Sequence, residues 1–448
     1  MKRDTHFSQA TPPGRGAISI IRLSGPRSIE SVSKICGKDT QRLMHRKRIL
    51  TTVYDTKRSP IDTALITFFE KPNSYTGEDV VEISCHGNPY IVDAIAEALL
   101  KTGVRLSEPG EFTKDAFMNG KIDLVQVESI GNLISSRSMV AARMSLRILR
   151  GDLTERLLMI RDSLIGLLSQ YEFELDISED DSFFLMSPKK ALSIIVKCLQ
   201  DCEALLKTYN DGVLYNQGFR LAIIGKPNVG KSTLLNRLIG KDRVITSAVP
   251  GTTRDTVDAL FFLQDIPITL VDTAGIGSPG DPIEKTGVER AINEAENCDM
   301  IINLLTPKDY KNSFSSNSTP IISVINKIDT LSTSQKDQLS KNTKNTLHIS
   351  ALFNTGIAEL KEEIYTRTKR PGCDIADIVI TTKRQKQAIV HCVENLKRAR
   401  GQINKEPPFV ELLCVDIKSC ISFLDTLLGK TTEDDVLNKI FNNFCVGK

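Results

Sequence analysis

Gly225-Lys226-Pro227-Asn228-Val229-Gly230-Lys231-Ser232, set between the apolar run Arg220 to Ile224 and a helix-like stretch from Thr233, constrains this chain more than any other feature. Two glycines, a lysine and a hydroxyl residue at this spacing form a phosphate-binding loop, which works at a strand-to-helix turn. There, backbone N–H groups and the helix N-terminus meet negative charge. Lys231 would reach the β- and γ-phosphates, and Ser232 would give magnesium a hydroxyl. Asn228, Val229, Gly230 and Thr233 complete the loop and its first helical turn. Further strand-like runs at Leu260 to Leu263, Ile268 to Asp272, Met300 to Leu305, Ile321 to Ile325 and Leu347 to Ile349 alternate with helical or loop segments. That alternation predicts a doubly wound α/β sheet with ligand at the strands' C-terminal ends.

Short motifs stand at several of those ends. Asp272-Thr273-Ala274-Gly275 puts a carboxylate near the metal's outer shell and the Gly275 amide where a γ-phosphate is sensed. Asn326-Lys327-Ile328-Asp329 selects the base, since Asp329 can accept two hydrogen bonds from the guanine ring N–H and exocyclic amine, an arrangement adenine lacks. Ser350 and Ala351 complete the base pocket. Between the phosphate loop and Asp272, the stretch Ser247, Ala248, Val249, Pro250, Gly251, Thr252 and Thr253 reads as a nucleotide-binding switch segment, with Thr253 as second hydroxyl ligand to magnesium. Together these motifs imply a magnesium-dependent GTPase. Ile276 stands where Ras-like enzymes carry a water-orienting glutamine, so another polar group is needed, and Asp281 and Glu284 are the nearby acids. No trans-acting arginine is identifiable: Arg254 lies in the switch segment but could equally pair with Asp255. A cation between the β- and γ-phosphates could replace it.

With 448 residues the chain exceeds one ordinary core and suggests about three units. The boundaries read as 1–118, 119–216, 217–370 and 371–448. The first segment has strand-like runs at Gly16 to Leu23, Ala64 to Phe69 and Val80 to Ser84 and a helical pattern at Ile91 to Leu100, an α+β arrangement. Apolar residues then recur at helical spacing through Leu124, Ile130 and Leu133, and again from Leu146 to Leu168. The pattern resumes near Ala388 and from Leu412 to Leu428. One helical domain interrupted by the nucleotide domain, or two separate helical domains, would account for both halves. Net charge of +3 is near neutral, so affinity for nucleic acid needs local basic runs such as Arg42 to Arg48, Lys383 to Lys386 and Lys397 to Arg400. Such runs are as often a solvated helix face. Ten scattered cysteines without paired metal spacing fit a reduced setting, and no membrane span or signal peptide is expected. The expected location is the cytoplasm.

Both ends of the chain carry further motifs: ATPPGRG at Ala10 to Gly16, NSYTGEDVVEISCHG at Asn73 to Gly87, EPGEFTKDAFMNGKIDL at Glu108 to Leu124 and FCVGK at Phe444 to Lys448. With the nucleotide motifs, they make the chain resemble, over essentially its full length, the bacterial tRNA-modification GTPases called MnmE or TrmE. The resemblance implies a multidomain fold: an α+β folate-binding and dimerising N-terminal domain, an α-helical domain from two chain segments, and an inserted α/β Ras-like GTPase domain. It implies a homodimer and a heterotetramer with the FAD-carrying flavoprotein MnmG. That complex would install a carboxymethylaminomethyl or aminomethyl group at C5 of the tRNA wobble uridine, its one-carbon unit coming from a tetrahydrofolate derivative in the 5,10-methylene or 5-formyl form. By the same resemblance Arg22, Glu82, Lys121 and Lys448 contact folate. Asn228, Ser247, Val249 and Thr252 hold potassium, and Glu284, preferred over Asp281, orients the water. Gly277, Asn88 and the SPGDP loop depart from the family pattern, the last bearing on the reach of Glu284. Cys445 does not fit a prenylation box, since CVGK lacks the required residues. A buried structural thiol and a chemical role near folate are its two readings. The rival function is a ribosome-assembly GTPase that binds rRNA, and a third is a GTP-regulated scaffold.

Overall fold

The computed structural model describes residues 4–40, 48–176, 187–240, 259–271, 297–310, 319–343, 345–368, 379–405, 408–431 and 434–442, with 444 and 447. The chain divides into two compact units, one of Met1–Gly131, Arg147–Cys202 and Gln387–Lys448, the other of Asn132–Leu146 and Glu203–Lys386.

The first unit opens with strands β1 (His6–Gln9), β2 (Ile18–Ser24), β3 (Arg48–Tyr54), β4 (Pro60–Phe69), β5 (Val80–His86) and β6 (Arg105–Leu106). They form one sheet in the order β3-β4-β5-β2-β1-β6, antiparallel except for the β1–β6 pair. Period-two alternation decides its two faces. Ile21 and Leu23, Ala64, Ile66 and Phe68, and Val81, Ile83 and Cys85 point to a buried face under α1 (Ser28–Cys36) and α2 (Pro89–Leu100), packing with Val32, Ile35, Ile95 and Leu99. The residues between them, Arg22 and Glu82 among them, belong to the opposite face. Apolar periodicity located β2, β4 and β5. It passed over β1, whose four residues HFSQ contain a single large apolar side chain; pairing to β2 makes this segment a strand.

α3 (Glu111–Met118) follows, then a turn into α4 (Leu124–Ser135). Asp123 starts α4 as an N-cap: its carboxylate accepts from the N–H groups of Val125 and Gln126, and the Gln126 side chain accepts from the Asp123 N–H. The apolar repeat from Leu146 onward is not one helix. It divides at Gly151 into α5 (Met139–Arg150) and α6 (Asp152–Asp176), and Leu146 is exposed. α7 (Pro188–Gln217) leads toward the nucleotide domain. After that domain come α11 (Lys383–Ile403), α12 (Val410–Leu428) and α13 (Asp434–Phe441).

The two helical segments pack on each other. α6 and α12 run antiparallel, joined by Arg161–Asp425 at 2.5 Å and Lys418–Glu172 at 2.6 Å, and both bury leucines. This favours a single helical domain made from two segments. α13 sets Leu437 and Phe441 against Leu124 and Val127.

The second unit holds strands β7 (Phe219–Ile224), β8 (Ala259–Leu263), β9 (Ile266–Val271), β10 (Met300–Leu305), β11 (Ile321–Ile325) and β12 (Leu347–His348). Their order is β12-β11-β10-β7-β9-β8, parallel except for the β8–β9 hairpin. β9 and β10 are buried along their whole length, as central strands of a sheet covered on both faces must be. α8 (Lys231–Ile239), α9 (Thr333–Asn342) and α10 (Ile357–Thr368) complete the described part, with Leu234, Leu238, Leu360 and Ile364 in its core. No helix among the described residues is long and apolar enough to cross a membrane.

Candidate functional site

In the second unit, β7 ends at Ile224 and α8 begins at Lys231, so the phosphate loop spans the strand-to-helix turn that its sequence requires. Asn228 adopts φ 63°, and Gly230, at φ 100°, is the N-cap. The Lys231 ammonium donates to the carbonyls of Gly225 at 2.7 Å and Lys226 at 3.2 Å and so arches across the loop. Ser232 lies in the first turn of α8. A hydroxyl at that helix N-terminus, next to a lysine and a run of backbone N–H groups, suits a magnesium–phosphate group.

The base motif is bolted to this loop. Asn326 is 3% exposed and spends both ends of its amide: Nδ2 donates to the Val229 carbonyl at 2.8 Å, and Oδ1 accepts from the Ala351 N–H at 2.9 Å. Lys327 Nζ donates to the Asn228 carbonyl at 2.6 Å. Ser350 Oγ donates to Asp329 Oδ1 at 2.6 Å, which fixes the orientation of that carboxylate. Arg237, from α8, donates to the carbonyls of Ala351 and Leu352. Phosphate loop, base carboxylate and the 350–352 turn therefore hold one another through polar bonds that run from the buried Asn326 amide to the exposed Lys327 ammonium. Gly230 is obligatory: a Cβ there would come 2.4 Å from Asn326 Nδ2. Sequence reading gave Asn326 only to the base; its bridging role required the fold, as did the part of Arg237. On the same rim Lys226 pairs with Asp309 at 2.7 Å, and that hydrogen bond holds the Asp309 carboxyl below its usual range.

The structure brings together Asn228, Val229, Gly230, Lys231, Ser232, Thr233, Asn326, Lys327, Asp329, Ser350 and Ala351. Ser247 through Thr253, Asp272 through Gly275, Asp281, Glu284, Cys445 and Lys448 lie outside the described residues.

In the first unit, Arg22 on β2 and Glu82 on β5 are register partners. Arg22 Nε donates to Glu82 Oε1 at 3.0 Å and Nη2 lies 2.9 Å from the same oxygen; each side chain keeps 20% of its surface exposed. The guanidinium lies near two rings, with Cζ 5.4 Å from the Tyr75 centroid and 5.7 Å from that of Phe112. Lys121 Nζ donates to the Pro72 carbonyl at 2.9 Å, at the start of the loop that carries Tyr75. Cation, carboxylate and a partly open aromatic ring side by side suit a planar, N–H-rich heterocycle that carries carboxylates. Gly447, buried at φ 103°, lies so close to β1 that a Cβ would meet the Gln9 carbonyl at 2.4 Å. Gly447 therefore lies where β1 passes into the ATPPGRG stretch.

A cavity of about 500 Å³ opens between α3, α6 and the end of α12, lined by Phe117, Lys121, Leu158, Leu428 and Lys430 among others. It shares Lys121 with the Arg22 cluster, and two of its polar lining groups are already bonded, Thr154 to Asp123 at 2.5 Å and Gln126 to the Leu149 carbonyl at 2.8 Å. The described cysteines are buried thiols. No three His, Cys, Asp or Glu side chains among the described residues could hold a metal ion.

Comparison with known proteins joins the two clusters. Residues 5–121 match the family described as the GTP-binding protein TrmE N-terminus, and residues 124–445 match the MnmE helical domain. The tRNA modification GTPase MnmE of Thermotoga petrophila is 36% identical over 455 residues, covering 99% of this chain and all of that protein. The chain belongs to the MnmE family of tRNA-modification GTPases. The Aquifex aeolicus MnmE is 34% identical with complete coverage of both chains. Among solved structures, Era in complex with MgGDPNP and nucleotides of 16S ribosomal RNA matches 40% of this chain and 66% of its own, at 30% identity and a TM-score of 0.27. MnmE relatives align through both ends as well as the nucleotide domain, which a ribosome-assembly GTPase would not require. The described phosphate loop and base pocket are accordingly those of an MnmE-type GTPase.

Proposed function

We propose that the chain hydrolyses GTP to drive a flavoprotein-assisted modification of the tRNA wobble uridine, at C5, with a reduced folate supplying the one-carbon unit. The observation that carries this reading is the presence, in one chain, of a phosphate loop locked to the Asn326–Asp329 motif and a separate Arg22–Glu82 cluster in the N-terminal domain. Neither feature alone would distinguish a modifying GTPase from a regulatory one.

In the nucleotide site, the loop N–H groups and Lys231 hold the phosphates, and Asp329 accepts hydrogen bonds from guanine. Ser232, with Thr253, would hold magnesium. Asn228, with Ser247, Val249 and Thr252, would hold potassium. When bound, the two cations supply positive charge to the phosphates in place of an arginine finger. Glu284 orients the attacking water, a task the apolar Ile276 cannot perform. In the folate site, Glu82 accepts from the heterocycle's N–H edge while Arg22, Lys121 and Lys448 receive carboxylates; Cys445 stands near this site by family resemblance. The acting form is a homodimer joined to an FAD-carrying flavoprotein in a heterotetramer, in the cytoplasm.

The decisive measurement is GTP turnover by the purified chain in potassium against sodium, with 5-formyltetrahydrofolate binding measured in parallel. Turnover should be at least about tenfold faster in potassium, in keeping with a cation that replaces an arginine finger. Equal rates would remove the potassium mechanism, and normal wobble-uridine modification in cells lacking the gene would remove the tRNA assignment.

A further inference from the structure

Two stretches of the N-terminal domain, Asn73 to Gly77 and Glu111 to Asp115, have no assigned role in either site, yet each binds down on Arg22. Both the Tyr75 and the Phe112 ring lie within cation–π distance of its guanidinium. Each ring is itself fixed. The Tyr75 hydroxyl is hydrogen-bonded to Thr113 Oγ1 at 2.9 Å. Its neighbour Thr76 is held on both sides, its hydroxyl 2.8 Å from Ser24 Oγ and its carbonyl accepting from Asn119 Nδ2 at 2.7 Å. Phe112 is fully buried on α3, and α3 is pinned at two points. Arg105 pairs with Glu111, and the buried His6 ring hydrogen-bonds Asp115 at 2.9 Å while lying 4.6 Å from the Phe112 ring. The helix run EFTKD thus docks residue by residue: Glu111 on Arg105, Phe112 under Arg22, Thr113 on Tyr75, Lys114 on Asn438 and Asp115 on His6.

An arginine side chain has many rotamers and loses that freedom when it binds a ligand, unless the protein has already removed it. Here two rings and one carboxylate have removed it. Phe112, wholly buried, serves as floor; Tyr75 keeps 37% of its surface open and is the member a ligand can touch.

We infer that Tyr75 is a positioning residue for the reduced folate, holding Arg22 together with Phe112 so that Arg22 and Glu82 meet the ligand already oriented. This rests on the folate reading above. A purely architectural ring would not show the pattern of effects that follows.

The test uses the full chain and 5-formyltetrahydrofolate, with affinity read by calorimetry and folding by thermal unfolding. Tyr75→Leu removes the ring and should weaken binding by about tenfold or more, while Tyr75→Phe, which loses only the Thr113 bond, should stay within about threefold. The chain contains no tryptophan, so Tyr75→Trp places its one tryptophan, excited apart from the tyrosines at the red edge, beside the guanidinium. Its emission should change on addition of the folate, a readout that survives even if Tyr75→Leu fails to fold. Unchanged emission, or Tyr75→Leu binding as tightly as the parent, overturns the role of Tyr75 and leaves the folate site standing. Failure of the parent chain itself to bind 5-formyltetrahydrofolate overturns both.

Discussion

The phosphate loop and the Arg22 cluster solve the same problem, holding an anionic ligand, by opposite means. The loop uses main-chain groups from eight consecutive residues, fixed from outside by Asn326 and Lys327. The Arg22 cluster uses side chains from β2, β5, the 72–77 loop and α3, which meet only because the sheet and helix pack as they do. A main-chain site tolerates changes of side chain but not of backbone conformation. A side-chain site should behave the other way round, losing function by degrees as each support is removed.

The largest effect expected is on the main-chain site. Gly230→Ala sets a Cβ 2.4 Å from Asn326 Nδ2 at a φ of 100°, so either the loop or the Asn326 bridge must give way. Affinity for a fluorescent GTP analogue should drop by about a hundredfold, roughly 3 kcal/mol, with folate binding unchanged. An affinity within about threefold of the parent would show that the loop is not conformationally locked, and the contrast would fail.

Gly447→Ala probes the tail, where backbone and side-chain logic meet. A Cβ would press within 2.4 Å of the Gln9 carbonyl, at a φ of 103°. The tail should lift from β1 at a cost of about 1–2 kcal/mol, read as faster carboxypeptidase release of the C-terminus. Unaltered release would mean that the tail's seat does not depend on this glycine.

The smallest effect belongs to a single support of the side-chain site. Burial pushes the Glu111 carboxyl up, but its hydrogen bond with Arg105 and the Glu108 N–H outweighs this and leaves it below its ordinary value of 4.5. A group lowered in the folded state stabilises above its unfolded value, and the stabilisation is lost as pH falls through the folded one. Glu111→Gln should therefore cost on the order of 1 kcal/mol at neutral pH, with the difference in thermal stability shrinking as pH falls below 4.5. A difference that stays constant with pH would place the effect in packing rather than charge.

The contrast also explains what could be read in advance. The eight-residue loop, the strand-end motifs and the alternating strands were visible because each is local: a phosphate loop needs its glycines at fixed spacing, and a buried parallel strand needs a near-continuous apolar run such as MIINLL, interrupted by Asn303 alone. The antiparallel strand β1 was not visible, because four half-polar residues become a strand only by pairing. Helical periodicity showed that helices follow Leu124 but not that Gly151 divides them, nor that α6 meets α12 across some 250 residues of sequence, as in Arg161–Asp425 with a separation of 264.

By itself, then, the sequence determined the guanine-nucleotide chemistry, since the phosphate loop and the Asn326–Asp329 motif are each built from neighbouring residues whose spacing is set by covalent geometry. Resemblance at both ends pointed to the family. Tertiary structure alone decided that Asn326 ties base pocket to phosphate loop, and that residues 22, 75, 82 and 112 form one cluster. The physical reason is range: a main-chain site is fixed by torsions along a short stretch, whereas an arginine held near two rings depends on where distant strands and helices finally pack.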